Sequence, residues 1–200
     1  VEISGCSFEG DQEGVRGYLS SDVGVVDCTF TDVGAGLVTS GSLRASALIF
    51  DGGRLPFSVH SYGSLDVEDV VVRGATFGGL YHSGVGDVRV RRTRFLDVQG
   101  PVVSAGGTDI TMNECDIVPR DFGPLVRAIS SGHPAGTTLD FENNYWGTAD
   151  AQDIAARIED GLDYPTNPTI PVVDFEPFQR VPVSSGAESM GSFKARFAPR

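Results

Sequence analysis

Basic residues are scarce in this chain: 15 Lys and Arg stand against 27 Asp and Glu, a net charge of −12. That balance excludes general binding to nucleic acid, whose phosphates demand a basic footprint, and disfavours an anionic membrane surface. It suits cations, neutral glycans or plain solubility. Long apolar runs are lacking too; no stretch approaches the ~18 residues that would mark a membrane span. Methionine is confined to two positions, and neither opens the chain. No signal peptide or lipidation motif stands at the start. Val1 already falls in a repeat strand, so the natural chain is expected to extend into upstream coils. Helical periodicity is missing from residues 1–147, which excludes helical repeats. The Leu-x-x-Leu-x-Leu spacing of leucine-rich repeats is missing as well.

What is present is a recurring fragment: two alternating apolar residues, a short skip, a small residue, one more, then a large apolar one. It reads Val1-Ile3-Cys6-Phe8, Gly24/Val25-Cys28-Phe30, Leu43-Ala45-Leu48-Phe50 and Val70-Val72-Ala75-Phe77. It continues as Val88-Val90-Thr93-Phe95, Ile110-Met112-Cys115-Ile117 and Leu139-Phe141-Asn144-Trp146. Units of this length, each too poor in apolar surface to form a core alone, must stack as a solenoid. Short period-two strands separated by Gly, Ser and Asp predict an all-β parallel β-helix of about seven coils over residues 1–147. Phe8, Phe30, Phe50, Phe77, Phe95, Ile117 and Trp146 are expected to form one buried column. Cys6, Cys28, Leu48, Ala75, Thr93, Cys115 and Asn144 are expected beside it.

Further stretches suggest a serine ladder: Leu19-Ser20-Ser21, Val38-Thr39-Ser40, Val59-His60-Ser61, Tyr81-His82-Ser83 and Val102-Val103-Ser104. The three cysteines occupy one position of the repeat. Adjacent rungs lie ~4.8 Å apart, so Cys6 and Cys28 meet the Cα spacing of a disulfide, whereas Cys115 is too far from both. Reduced thiols filling an internal column are the other reading, and the compartment stays open.

The chain changes character after Trp146. Asp150 has the place of a helix N-cap, Ile154 and Ile158 share a helical face, and Gly161 offers a stop, predicting a helix over about 150–160. Ile154, Ile158 and Leu162 then form a stripe to be buried against the last coils. Pro165, Pro168 and Pro171 force an extended path into Val172–Phe175. Residues 148–180 thus read as a cap, needed because an open strand edge invites association, and 181–200 as a tail or linker.

The rung Asn143-Asn144-Tyr145-Trp146-Gly147-Thr148, the acidic helix and Asp174-Phe175-Glu176-Pro177-Phe178 resemble the terminal region of secreted right-handed parallel β-helix proteins. These are the pectate-lyase-like or nitrous-oxide-accessory-type β-helix proteins of bacteria and archaea. The resemblance covers residues 139–178 and implies a right-handed coil and an extracellular, cell-surface or periplasmic home. It does not fix an activity, because that superfamily mixes lyases, hydrolases, binding modules and spacers.

A lyase of the pectate type needs carboxylates clustered on calcium with an Arg or Lys base beside them. The repeat alignment places Arg73 with Arg91 in one outward column and makes Arg89, Arg91, Arg92 and Arg94 one basic rung, with Glu114 and Asp116 above Arg92 and Arg94. Cross-rung salt bridges on a solvated face are the plain reading; a carboxylate-bearing glycan on Arg73, Arg89 and Arg91 is the functional one. Paired hydrolytic carboxylates, a polygalacturonase-like Arg-Ile-Lys segment and an epimerase-type Asp-Pro-His are all missing, and no catalytic residue is assigned. Calcium finds no loop motif, although Asp11, Glu13, Asp22, Asp27 and Asp32 concentrate acidity in the first coils. Cofactors are not expected. His60 and His82, both preceding Ser, are expected on adjacent rungs as a surface pair able to share a metal; His133 shows no partner. Tyr62, with Tyr18 and Tyr145, is suited to sugar stacking. The expected function is a non-catalytic segment of a secreted or cell-surface bacterial protein, a rigid scaffold with a glycan- or partner-binding surface. The alternative is a polysaccharide lyase or glycoside hydrolase acting on an acidic polysaccharide.

Overall fold

A computed structural model of the chain describes residues 1–10, 12–107, 109–129 and 133–183. Its strands pair in parallel from one turn of the chain to the next, giving an all-β solenoid of about six turns. The first sheet stacks Glu2–Ser4, Asp22–Val26, Ser42–Ser46, Ser64–Glu68, Val88–Arg91, Ile110–Asn113, Thr138–Asp140 and Val172–Asp174. The second stacks Ser7–Glu9, Thr29–Thr31, Ile49–Asp51, Val71–Arg73, Arg94–Val98 and Asp116–Pro119. The third stacks Glu13–Gly17, Ala35–Thr39, Leu55–Ser61, Leu80–Gly84, Val103–Ala105, Val126–Arg127 and Ile158–Glu159.

The skip inside each repeat is a corner. Gly5, Asp27, Ala47, Asp69, Arg92, Glu114 and Asn143 all hold φ between 45° and 62°. One left-handed residue bends the chain from the first sheet into the second and shifts the inward phase by one position. Gly, Asp and Asn accept that conformation most readily. Hydrogen bonds run up the corner, from Gly5 N to Val26 O at 3.2 Å and from Asp27 N to Ser46 O at 3.3 Å. At the last rung the small inward position is Asn144, fully buried. Its Oδ1 accepts from Cys115 N at 2.9 Å, and its Nδ2 donates to Met112 O and Phe141 O at 2.7 and 2.8 Å.

The aromatic column begins as expected: Phe8 stacks on Phe30 at 4.7 Å, and Phe30 on Phe50 at 4.5 Å. The fourth coil corrects the sequence register. Phe50 is paired with Val72, and Val72 with Phe95, so the unit is Leu65-Val67-Val70-Val72, and Phe77 is 59 % exposed on the turn beyond it. Coil length explains the error: closing at Val72 makes the intervals on either side nearly equal, whereas Phe77 makes one long and one short.

A glycine column makes room for the rings. The residues just before the aligned Val15, Leu37, Phe57, Leu80 and Val103 are Gly14, Gly36, Pro56, Gly79 and Val102. A Cβ on Gly14 would lie 2.5 Å from Phe30, on Gly36 2.2 Å from Phe50, and on Gly79 2.6 Å from Phe95. Where Pro56 and Val102 replace the glycine, the next coil carries the smaller Val72 and Ile117 in the column.

The terminal segment is only partly as expected. The helix spans Ala151–Ala155, with the Asp150 side chain accepting from Gln152 N and Asp153 N. Ile158 leaves it for the third sheet, and Leu162 is 74 % exposed, so no three-residue stripe forms. The chain instead turns on buried Asp160, whose Oδ2 accepts from Val173 N at 2.7 Å. Val172–Asp174 then extends the first sheet. Phe175 meets the buried Trp146 edge-on at 6.4 Å, and Phe178 lies against Phe175. Residues 184–200, most of the expected tail, lie outside the described residues, as does Asp11. No described helix is long and apolar enough to cross a membrane.

Candidate functional site

The outer face of the third sheet gathers the polar and aromatic groups most suited to a ligand. On the strand Leu55–Ser61, Phe57 and Val59 are fully buried, Ser58 is 5 % exposed beneath the surface groups, and His60 is partly exposed. Register places Ser58 beside Tyr81 and His60 beside Ser83 on the next rung. His60 is held at both ring nitrogens: Nε2 lies 2.8 Å from Ser58 Oγ and Nδ1 lies 3.1 Å from Ser83 Oγ. Its ring centroid is 5.8 Å from that of Tyr81. Tyr62, at the corner that follows, is 75 % exposed, and Tyr18 is exposed on the first coil, aligned with His60 two rungs away. The serine ladder read from the sequence does not form. Thr39 is aligned with Val59 and Val59 with His82, so the Ser-containing triplets are one position out of step.

The same offset separates the two histidines. His82 aligns with Val59 and faces inward, wholly buried, while His60 faces solvent, so they do not form the expected surface pair. Burial pushes the His82 pKa down to about 4, against the pull of Asp109, while His133 and His60 lower it further. Its ring lies under Gly107, where a Cβ would come within 2.0 Å of it. His133 is also buried, and burial lowers its pKa. Among the described residues no group of three or more His, Cys, Asp or Glu side chains is arranged to hold a metal.

The arginines divide differently from the expected basic rung. Arg89 and Arg91 lie on the first sheet, aligned with Asp66 and Glu68. Arg89 pairs with Asp87 at 3.2 Å, and Arg91 lies 3.8 Å from Asp66 and 4.0 Å from Glu68. Arg92 turns down to Asp69 and Glu68 rather than up to Glu114; the Asp69 hydrogen bond raises its pKa most. Arg94 does meet Asp116, at 3.3 Å. Except for Arg94–Asp116, where the carboxylate is buried, these partly exposed pairs contribute little, about 0–1 kcal/mol each, and leave Arg89 and Arg91 already engaged.

Arg73 is not in their column. It lies on the second sheet between Asp51 and Leu96. Its Nε is buried without a hydrogen-bond partner. On the nearby turns Arg54 sits over the exposed Phe77 ring at 5.2 Å, and Arg120 pairs with Asp97 at 2.9 Å. Sequence reasoning missed Tyr81, Ser58 and the Arg54–Phe77 contact. The signal lay in the unequal repeat intervals, which would have restored the register of the fourth coil. An open groove of about 350 Å³ between the helix and the last strand is lined by Ala151, Gln152, Ala155, Val173, Asp174, Phe175 and Glu176, so its ionisable groups are two carboxylates.

Comparison of the chain with protein-family models, with curated proteins and with solved structures found no match in any of the three. The β-solenoid rests on the strand pairing itself, and no match supports the resemblance of residues 139–178 to pectate-lyase-like proteins.

Proposed function

We propose that this chain is a non-catalytic, glycan-binding segment of an extracytoplasmic bacterial β-helix protein, a rigid scaffold whose saccharide-binding surface is the outer face of the third sheet. The observation that carries the reading is the His60–Tyr81 ring pair, set between Ser58 and Ser83 and flanked by the exposed Tyr62. Flat amphipathic rings accept the C–H face of a sugar, and the exposed hydroxyls of Tyr62, Tyr81 and Ser83 serve its hydroxyl groups. Tyr18 is aligned with His60 two rungs away, roughly 10 Å at ~4.8 Å per rung, so an extended polymer running along the stack meets both. Arg73 and Arg54 supply cations for acidic residues of such a polymer, a task that the acid-paired Arg89 and Arg91 are poorly placed to perform.

Affinity electrophoresis in gels containing a neutral β-glucan, xylan, alginate or polygalacturonate tests this. At least one polymer is expected to retard the protein, and Tyr62→Ala and Tyr81→Ala to abolish the retardation, with Arg89→Gln neutral. Arg73→Gln is expected to weaken retardation by the acidic polymers alone. Migration unchanged by every polymer, or retardation indifferent to both tyrosines, sinks the reading; release of unsaturated or reducing ends transfers it to the lyase or hydrolase class.

A further inference from the structure

We propose that Cys6 and Cys28 are joined by a disulfide in an oxidising compartment, forming a covalent staple between the first and second coils. The inference is independent of the glycan reading and rests on where the two thiols stand. Glu2–Ser4 pairs with Gly24–Val26, and Ser7 with Thr29, so the intervening corners are superposed and Cys6 lies one rung from Cys28. One rung is ~4.8 Å, inside the 4.4–6.8 Å Cα range that a disulfide spans.

The side chains repeat as the backbones do. Cys6 Sγ donates to Ser4 O at 3.4 Å and Cys28 Sγ to Val26 O at 3.3 Å, each two residues back, so both sulfurs hang from the corner in the same direction. Cys28 Sγ accepts from Cys6 N at 3.4 Å. Both thiols are free in this structure. The third, Cys115, is fully buried four rungs away and has its pKa pushed up to about 12 by burial, so it serves as an internal control.

The pair also differs in access, and that sets an order of events. Cys6 is exposed and Cys28 is 1 % exposed, so an external oxidant meets Cys6 first. A small-molecule disulfide such as oxidised glutathione supplies the oxidising equivalents. The Cys6 thiolate attacks one glutathione sulfur, forming a mixed disulfide and expelling a glutathione thiolate. The Cys28 thiolate then attacks the Cys6 sulfur, forming the intramolecular bond and expelling the second. The protein loses two protons and two electrons; one oxidised glutathione becomes two reduced ones. Burial raises the Cys28 pKa, so the second step quickens as pH rises.

A solenoid coil is held only by its neighbours, and Ile3 and Phe8 of the first coil are only partly buried. The crosslink ties that coil to the fully packed Phe30 rung.

The test treats the whole chain with oxidised glutathione, then measures intact mass, the crosslinked peptide and hydrogen exchange. Expected are a loss of two hydrogens, a Cys6–Cys28 peptide, a reduced Cys115, and exchange over residues 1–17 slowed at least tenfold. Cys28→Ala is expected to stop at a glutathione adduct on Cys6. Wild-type protein that stops at the same adduct at pH 9, or that yields only Cys6–Cys6 dimers, overturns the proposal. A disulfide that forms without slowing exchange in the first coil refutes its role as a staple.

Discussion

Replacing Gly36 by alanine tests the packing rule that fits the aromatic column into the coil. The new Cβ would stand 2.2 Å from Phe50 Cε1 and 2.8 Å from Pro56 O. Gly36 does not have a positive φ, so the cost is steric rather than torsional. Phe50 cannot swing aside, being stacked on Phe30 at 4.5 Å and met edge-on by Phe57 at 5.2 Å. Overpacking of this kind costs about 1–3 kcal/mol, and two fixed obstacles place Gly36→Ala toward the upper end. Phe50→Val alone empties part of the column and costs less than the ~3–5 kcal/mol of a Phe→Ala change. Combined, the two substitutions reproduce the bulky-before-small pairing already found in Pro56 with Val72 and Val102 with Ile117. The double variant should therefore recover at least about 1 kcal/mol relative to the sum of the singles. Urea unfolding followed by circular dichroism at constant m-value supplies the four free energies. Additivity within ~0.5 kcal/mol, or a Gly36→Ala cost below that figure, refutes the pairing rule.

The remaining predictions concern the buried polar groups and the cap. Burial holds the His82 pKa near 4 against 6.5 for the free side chain, so between those values the unfolded chain binds a proton that the folded one does not. Stability from this group is full above pH 6.5 and lost as pH falls toward 4, roughly 3 kcal/mol at ~1.4 kcal/mol per pH unit. His82→Leu should flatten that part of the stability–pH curve, and an unchanged slope counts against the assignment. Asn144→Leu removes the three hydrogen bonds of a buried amide and strands Cys115 N; a loss of about 2–4 kcal/mol in denaturant unfolding is expected, and a loss below ~1 kcal/mol refutes its role as the corner's anchor. Deleting residues 148–200 uncovers Trp146 and the strand Thr138–Asp140, so light scattering should report aggregation; a monomer of unchanged melting temperature shows the segment to be dispensable.

Period-two alternation, glycine-rich breaks and a roughly constant unit length determine the solenoid in the sequence itself, because each is a local consequence of short strands that must stack. The Asp150 cap and the extended Val172–Asp174 were legible for the same reason: both follow from neighbours in the chain. Which residues share a column was not, because register is a relation between coils, and one slipped unit changes every face it touches. Taking Phe77 for Val72 put Arg73 beside Arg91, and matching His60 with His82 hid the contacts that His60 makes with Ser58, Ser83 and Tyr81. The tertiary structure decided those matters through volume and burial. Only Val72 fits between Phe50 and Phe95 over Pro56, and only an inward His82 leaves His60 free to face the solvent.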